Sequence, residues 1–408
     1  MLYKFVLFAP ILIPLTFMLC SCNIYESEDD DMIPLRDLTS VEKSIVSADN
    51  NFGLNLFKSL HSAKPDENLF ISPLSISMAL GMTLNGANGE TYEAIKTTLK
   101  LNGFSEYDIN KSYQTLIELL TNLDEEVIFN IANSIWHRDN FNVEQIFIDL
   151  NKEYFNAEVQ GLNFSNPTSK DVINDWVDNK TNGLIDKILD ENIPAEIVMY
   201  LINAIYFKGV WSNEFDTEDT KEESFNNYGG SVSSVPLMFQ EDDFNYLEND
   251  KYQAVELMYG DSLYSMMVVL PKQGVDINNL AETLNVSDLS NQYNSTGLHL
   301  YLPKFELEWK SSLNSVLKSM GMDIAFNESQ ADFTRINPNG GLYIDEALHK
   351  SYIKVDEEGT EAAAITSIGV SLTSIPQTIY FRVDRPFIFV IRDHHSNTIL
   401  FIGKVLEL

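Results

Sequence analysis

From Ala362 to Phe381 the chain runs for twenty residues without one charged side chain, although 21% of the protein is charged. A fold must either bury such a run or have a use for it. One alternate set reads Thr360, Ala362, Ala364, Thr366, Ile368, Val370, Leu372, and the other Glu361, Ala363, Ile365, Ser367, Gly369, Ser371, Thr373. A period of two, with small residues first and branched ones later, describes a strand able to slide into a sheet. Its start, the triplet Ala362, Ala363 and Ala364, has good helix propensity and poor strand propensity. The segment is suited to two conformations, and Gly359 just ahead of it supplies backbone freedom for a bend.

The residues around this run carry a resemblance. Glu357-Glu358-Gly359-Thr360-Glu361-Ala362-Ala363-Ala364 resembles the hinge of the reactive-centre loop of serpins, the suicide protease inhibitors. Downstream, Phe381-Arg382-Val383-Asp384-Arg385-Pro386-Phe387-Ile388-Phe389 is similar to the family's C-terminal signature. Asn68-Leu69-Phe70-Ile71-Ser72-Pro73-Leu74-Ser75-Ile76 resembles the segment from a buried strand into a helix. Asn203-Ala204-Ile205-Tyr206-Phe207-Lys208-Gly209-Val210-Trp211 and Leu302-Pro303-Lys304-Phe305 fall in the family's order. The resemblance covers residues 41–408 and implies an α+β fold with three sheets, about nine helices and an exposed reactive loop.

The resemblance also implies a mechanism. A protease takes the loop as substrate and forms an acyl-enzyme at the scissile bond. Cleavage frees the segment from Thr360 onward to enter the main sheet as a new strand. Each backbone hydrogen bond gained contributes about 0.5–1.5 kcal/mol, and each large apolar side chain buried about 1.5–3 kcal/mol. Summed over a strand, this is comparable with the whole stability of a domain, about 5–15 kcal/mol. Insertion can therefore drag and distort the acylated enzyme. The implied partner is an endopeptidase held in a covalent 1:1 complex with a monomer, and no cofactor or metal is implied. The alternative is a serpin fold kept as a surface binding module; a charge or proline at an inward hinge position would favour it, and Thr360, Ala362 and Ala364 are neither.

Counting the family's usual hinge length from Glu357 puts the reactive bond between Thr373 and Ser374, with Leu372 as the alternative residue on the acyl side. The uncharged loop offers no Lys or Arg to a trypsin-like acidic pocket. Small or medium apolar residues suit elastase-like and subtilisin-like serine proteases, and Leu372 beside the bond would suit papain-like cysteine proteases. Ser72, Ser75, Asn203 and His349 resemble the family's shutter, whose polar groups can exchange partners as strands part. Each also reads as an ordinary satisfied core residue. Trp211 resembles the breach residue where insertion begins, and Lys304 and Glu357 match positions that pair at the loop's base in some relatives.

The N-terminal segment is read separately. Lys4 precedes an apolar stretch, Phe5 to Met18, broken by Pro10 and Pro14, and then comes Leu19-Cys20-Ser21-Cys22. This resembles a bacterial lipobox with Cys22 as the lipid-bearing residue; a simple signal peptide is the other reading. Residues 1–21 are then the signal peptide, 22–40 an acidic tether and 41–408 the main domain. The tether's acidic run, Asn23 to Asp31 just after Cys22, resembles the surface-export signal of Bacteroides-group lipoproteins, or is a plain solvated linker. The expected location is the cell envelope, at the outer membrane. The chain's only two cysteines, Cys20 and Cys22, both lie in this segment.

The chain has 60 acidic and 27 basic side chains, a net charge of −33. That argues against nucleic acid, whose binding relies on neutralising phosphates. Enzyme motifs fare no better: there is no Gly-x-Ser-x-Gly, no His-Glu-x-x-His and no cysteine nucleophile outside the leader. Gly260-Asp261-Ser262-Leu263 matches a short esterase motif, but Asp393-His394-His395 has the wrong spacing to complete it, and a turn explains the glycine better.

Periodicity predicts helices over 41–60, 75–85, 92–99, 110–120 and 169–189. It predicts strands over 198–207, 252–258, 264–270, 298–305 and 379–390. Helices first, strands after and no βαβ cadence indicate α+β with large, mostly antiparallel sheets.

Overall fold

The structure, a computed structural model, describes residues 35–289, 293–360 and 379–408. Helix α1 (Ser40–Ala63) opens on a capping box: the Thr39 hydroxyl accepts the Glu42 N–H, and the Glu42 carboxylate accepts the Thr39 N–H. Its stripe of Ile45, Phe52, Leu56 and Leu60 is buried. Helix α2 (Pro73–Gly86) starts on N-cap Ser72 with a proline in its first turn. It is apolar nearly all round because other elements surround it. Helices α3 (Gly89–Thr98) and α4 (Glu106–Leu120) begin one turn earlier than the periodicity predicts. For α4 the reason is a second capping box, between Ser105 and Asp108.

Helices α5 (Gln145–Phe155) and α6 (Ser169–Lys180) follow. The expected helix to Leu189 stops at Lys180, because Asn182 and Gly183 take φ of +52° and +84° and turn the chain. Three short helices, α7 (Ile277–Thr283), α8 (Val286–Leu289) and α9 (Asn314–Leu317), bring the α-helices among the described residues to nine.

The strands begin with β1 (Leu69–Ile71), β2 (Val127–Arg138), β3 (Glu158–Leu162), β4 (Met199–Val210) and β5 (Lys221–Asn226). Then come β6 (Val232–Glu248), β7 (Tyr252–Tyr259), β8 (Tyr264–Pro271), β9 (Asn294–Pro303) and β10 (Phe305–Ser312). The last are β11 (Leu348–Val355), β12 (Gly359–Thr360), β13 (Ile379–Arg382), β14 (Phe387–Asp393) and β15 (Ile399–Val405). Helices and strands are thus more interleaved than the sequence reading has them, since β1, β2 and β3 lie among the early helices.

Two predicted strands are each two strands. The run 298–305 divides at Lys304 into β9 and β10, which belong to different sheets. The run 379–390 divides into β13 and β14, because Val383 to Pro386 carries the chain from a sheet edge to the sheet centre and Pro386 has no N–H to donate.

The strands form three sheets, as an α+β serpin fold requires. The largest has nine strands, ordered β1-β15-β14-β8-β7-β6-β9-β13 with β5 beside β6. A four-stranded sheet is ordered β12-β4-β2-β3, and β10 pairs with β11 alone. Among the described residues no backbone pairing joins β11 to β4. A cavity lies along this division, lined by Ile205 and Phe207 of β4, Tyr352 and Ile353 of β11, and Thr360.

Candidate functional site

At the head of the division, the chain leaves β11 and turns back onto β4. The Asp356 N–H donates to the Gly359 carbonyl at 3.0 Å and closes the turn. Gly359 has φ +149°, and a Cβ there would lie 2.1 Å from the Gly209 carbonyl oxygen, so only glycine fits. β12 then pairs antiparallel with β4, Gly359 opposite Val210 and Thr360 opposite Gly209. Residues 361–378 are outside the described residues, so Ala362, Ala363, Ala364, Leu372, Thr373 and Ser374 are not placed. The same holds for Cys22.

The turn is held from its base. Lys304 Nζ donates to Glu357 Oε2 at 2.5 Å, and Thr220 Oγ1 donates to Glu357 Oε1 at 2.8 Å. Burial pushes the Glu357 carboxyl up, but Lys304, backbone and Thr220 donors outweigh it and hold it below the usual range. The Trp211 indole N–H donates to the Asp356 carbonyl at 3.0 Å, and its backbone N–H to the Glu358 carbonyl at 2.9 Å. Lys304, Glu357 and Trp211, distant in sequence, therefore grip one turn.

Beyond the turn, the Thr360 hydroxyl lies buried, 2.7 Å from the Tyr259 hydroxyl. Tyr259 stacks on Trp211 with ring centroids 4.3 Å apart, and its edge meets Phe207 at 5.1 Å. Sequence reasoning did not identify Tyr259, whose apolar strand context gives no sign of its partner. Thr220 was also missed and has no local signal.

The polar residues lower down form two groups. In one, the Ser72 backbone N–H donates to His349 Nε2 at 3.2 Å, and the Ser72 hydroxyl donates to the Leu400 carbonyl at 2.8 Å. The same hydroxyl accepts the Ser75 N–H at 3.3 Å. Burial lowers the His349 imidazole to about 4, so it stays neutral and can accept. In the other group, Asn203 Nδ2 donates to Asn133 Oδ1 at 2.7 Å. Among the described residues its link toward the first group is Met78 of α2, at 3.9 Å to the sulfur.

The enzyme readings find no support in the geometry. Gly260 (φ +48°) and Ser262 (φ +68°) turn β7 into β8, and among the described residues the Ser262 hydroxyl meets that of Ser212, at 3.4 Å. His394 sits at the β14–β15 turn, with its Nε2 2.9 Å from Ser265 Oγ and 3.3 Å from Glu256 Oε1. That trio is not a nucleophilic site: Ser265 is fully buried, and one ring nitrogen serves both partners. Burial pushes the Glu256 carboxyl up, yet His394 and Arg392 outweigh it and bring it to about 2. Among the described residues no cluster of His, Cys, Asp and Glu could hold a metal.

Comparison with known proteins bears on the family and the fold. The family model described as Serpin (serine protease inhibitor) matches residues 47–408. Human Serpin B11 is 33% identical over 387 residues, 89% of this chain and 99% of its own. Chicken neuroserpin is 35% identical, covering 87% and 89%, and an uncharacterized serpin-like protein of Thermococcus kodakarensis is 34% identical, covering 90% and 86%. Among solved structures, the thermophilic serpin tengpin in its native state superposes with a TM-score of 0.83 at 35% identity, covering 91% of this chain and 96% of its own. Tengpin in its latent state gives 0.79, covering 91% and 100%.

Proposed function

The chain belongs to the serpin family, and from that premise we propose that it is a suicide-substrate inhibitor of serine endopeptidases, trapping the acyl-enzyme by strand insertion between β4 and β11. The observation that carries this reading is β12: two residues of strand, already paired to β4, lead into an uncharged run at the head of an unpaired division. Carried onward, that register would set Ala362 opposite Phe207, Ala364 opposite Ile205 and Thr366 opposite Asn203. Small side chains would then meet large ones at the entrance, where insertion must start.

The specificity is that of elastase-like and subtilisin-like proteases, with papain-like cysteine proteases second, because the loop presents Leu372, Thr373 and Ser374 and no cation. The protein acts as a monomer, without a cofactor, and members of its family are generally inhibitors rather than catalysts. Residues 1–21 are its signal peptide and 22–40 its tether; the lipid on Cys22 anchors it to the bacterial outer membrane. The Leu19 to Cys22 motif and the acidic run after it support that location. A non-inhibitory surface binding module is the competing use of the same fold.

The test is incubation of the soluble body with elastase, subtilisin, trypsin and papain, read by denaturing gel and mass spectrometry. A denaturation-resistant complex and a released peptide starting at Ser374 are expected with elastase or subtilisin. Thr360→Arg places a charge in the buried contact with Tyr259 and should convert the protein to a cleaved substrate, lowering complex yield about tenfold or more. An unchanged yield in Thr360→Arg, or clipping without complex by every protease, would overturn the inhibitory reading.

A further inference from the structure

Asp49 of α1 is an acid buried where a charge has nothing to answer it. Tyr113 of α4 donates its hydroxyl to Asp49 Oδ1 at 2.9 Å. Asp49 Oδ2 and the hydroxyl of Ser77 on α2, which faces the carboxyl, are buried without a hydrogen-bond partner among the described residues. A carboxylate offers only acceptors, and an unpaired buried Oδ2 strongly disfavours it. A carboxylic acid has a proton to give, and Ser77 has lone pairs to take it. Burial accordingly raises the Asp49 carboxyl to about 7 and holds the Tyr113 hydroxyl far above its usual range, so Tyr113 remains a donor. Among the described residues no cation pairs with Asp49. α2 carries no charged residue, and Tyr113 is the one buried titratable group of α4. Glu42, two turns earlier on α1, accepts from Thr115 of α4. Asp393 of β14, beyond Asn50, is answered by Ser396 and Thr398. His61, Lys404, Asp276 and Glu282 gather at the far end of α1, about 18 Å along the helix.

Tyr113 leads from Asp49 to the strand beside the division. Its ring lies 5.4 Å from that of Phe155, the last residue of α5, and both press on Gly81 of α2, where a Cβ would lie 3.1 Å from either ring. The Phe155 carbonyl accepts the Asn133 side-chain amide at 2.7 Å, and Asn133 Oδ1 accepts the Asn203 amide of β4 at 2.7 Å. We propose that Asp49 is a proton-controlled latch on strand insertion. Protonated, it donates to Ser77 and fastens α1, α2 and α4 around Tyr113. Ionised, it loses that bond and keeps a buried charge; the loosened Tyr113–Phe155 contact frees Asn133 and Asn203, and a strand enters beside β4 more readily. An asparagine in its place would make both bonds at every pH, whereas an acid makes them conditional. Because the closed fold holds the carboxyl above its value in water, near 4, opening grows easier as pH rises toward 7 and levels off beyond it. His349 acts in the opposite sense, favouring opening as pH falls, so a rise with pH is not its work. The direction suits a serine protease, which acts when its histidine base is neutral, above about pH 6.5. That bearing on protease capture rests on the inhibitory reading, whereas the latch itself does not.

The test needs no protease. A fluorescent peptide with the sequence of residues 360–373 is offered to the protein, and its rate of uptake is followed from about pH 5.5 to 8.5; heat resistance of the product reports that the peptide has entered as a strand. In the wild type, uptake should quicken about tenfold as pH rises to about 7.5 and then level off, the gain that a one-unit difference in pKa between closed and open forms allows. Asp49→Asn should change less than about twofold over the same range. Tyr113→Phe keeps the ring and removes a donor to the carboxylate, so it should keep the rise and move its midpoint up by about half a pH unit or more. An equal rise in the wild type and Asp49→Asn, no rise in the wild type, an unmoved midpoint in Tyr113→Phe, or no uptake at any pH would each sink the latch. If uptake follows the expected course but no protease yields a covalent complex, the inhibitory reading fails and the latch stands.

Discussion

The nine-stranded sheet and the four-stranded sheet are built to different ends. In the first, every residue of β8, β14 and β15 is buried. β14 pairs on both sides, with a register shift only at Ile391 and Arg392. In the second, β4 alternates between buried and half-buried positions and stops pairing at β12. Around it apolar contacts such as Phe207 with Phe401 are joined by discrete polar ones: Tyr259 with Thr360, Asn203 with Asn133, Lys304 with Glu357. Apolar packing lost on opening has no replacement, whereas amide and hydroxyl groups can take new partners. The difference assigns stability to one sheet and change to the other.

That division predicts its largest effect in the rigid sheet. Phe389 is fully buried, with ring contacts to Phe70 at 5.5 Å and Phe305 at 5.4 Å. Gly403 makes room for it, since a Cβ there would lie 2.3 Å from the ring. Phe389→Ala should lower the unfolding free energy by about 3–5 kcal/mol in denaturant titrations. The stoichiometry of inhibition by the molecules that remain folded should be unchanged. A rise in stoichiometry as large as that of Thr360→Arg would break the assignment.

Next in size is an opposition between two buried titratable groups flanking α2. The depressed imidazole of His349 stays neutral in the fold while an unfolded chain takes up a proton near pH 6.5. Its contribution is therefore complete above about pH 6.5 and is lost as pH falls toward 4. Asp49 on α1 runs the other way. Burial, only partly offset by the Tyr113 and Ser77 hydroxyls, raises its carboxyl to about 7. Its contribution is complete below the unfolded value near 4 and is lost as pH rises toward 7. Asp49→Asn should steepen the gain in stability between pH 4 and 6.5, and His349→Gln should reverse it, each by up to about 1.4 kcal/mol per pH unit. Urea midpoints at pH 4.5, 5.5 and 6.5 measure both slopes. Parallel slopes in the wild type and both variants would remove these two groups from the account.

How much of this was legible depended on whether the signal was local. Glu357, Gly359, Thr360, Trp211 and Lys304 stand in short motifs, and all five come together at one turn. α2 was legible as a buried apolar run, although its start at Pro73, capped by Ser72, lies two residues ahead of the predicted Ser75. By contrast, the breaks at Lys304 and at Val383 to Pro386 interrupt apolar patterns that look continuous, because a period of two records alternation and not which sheet a strand joins. β2 escaped notice because its alternation is broken by Asn130 and by Ala132-Asn133-Ser134, the stretch that supplies the Asn133 partner of Asn203. Tyr259 finds Thr360 across a hundred residues of chain, and no spacing rule spans that distance.

Tyr259 also gives the smallest and most local test of the comparison. Its ring is held by Trp211 and Phe207, so Tyr259→Phe keeps the packing and removes only the hydroxyl. The Thr360 hydroxyl is then left buried without that partner. The expected loss is about 1 kcal/mol, within the usual range for one hydrogen bond. Because the loss falls on the two-residue pairing between β12 and β4, it should favour local opening there over global unfolding. Amide hydrogen exchange can see this. Exchange at Gly209 to Trp211 and at Gly359 and Thr360 should speed by about fivefold, the kinetic equivalent of 1 kcal/mol, while β8 and β14 exchange as before. Equal acceleration in both sheets would mean that the hinge and the core open as one unit, and the polar contacts around β4 would then be ordinary parts of a single stability.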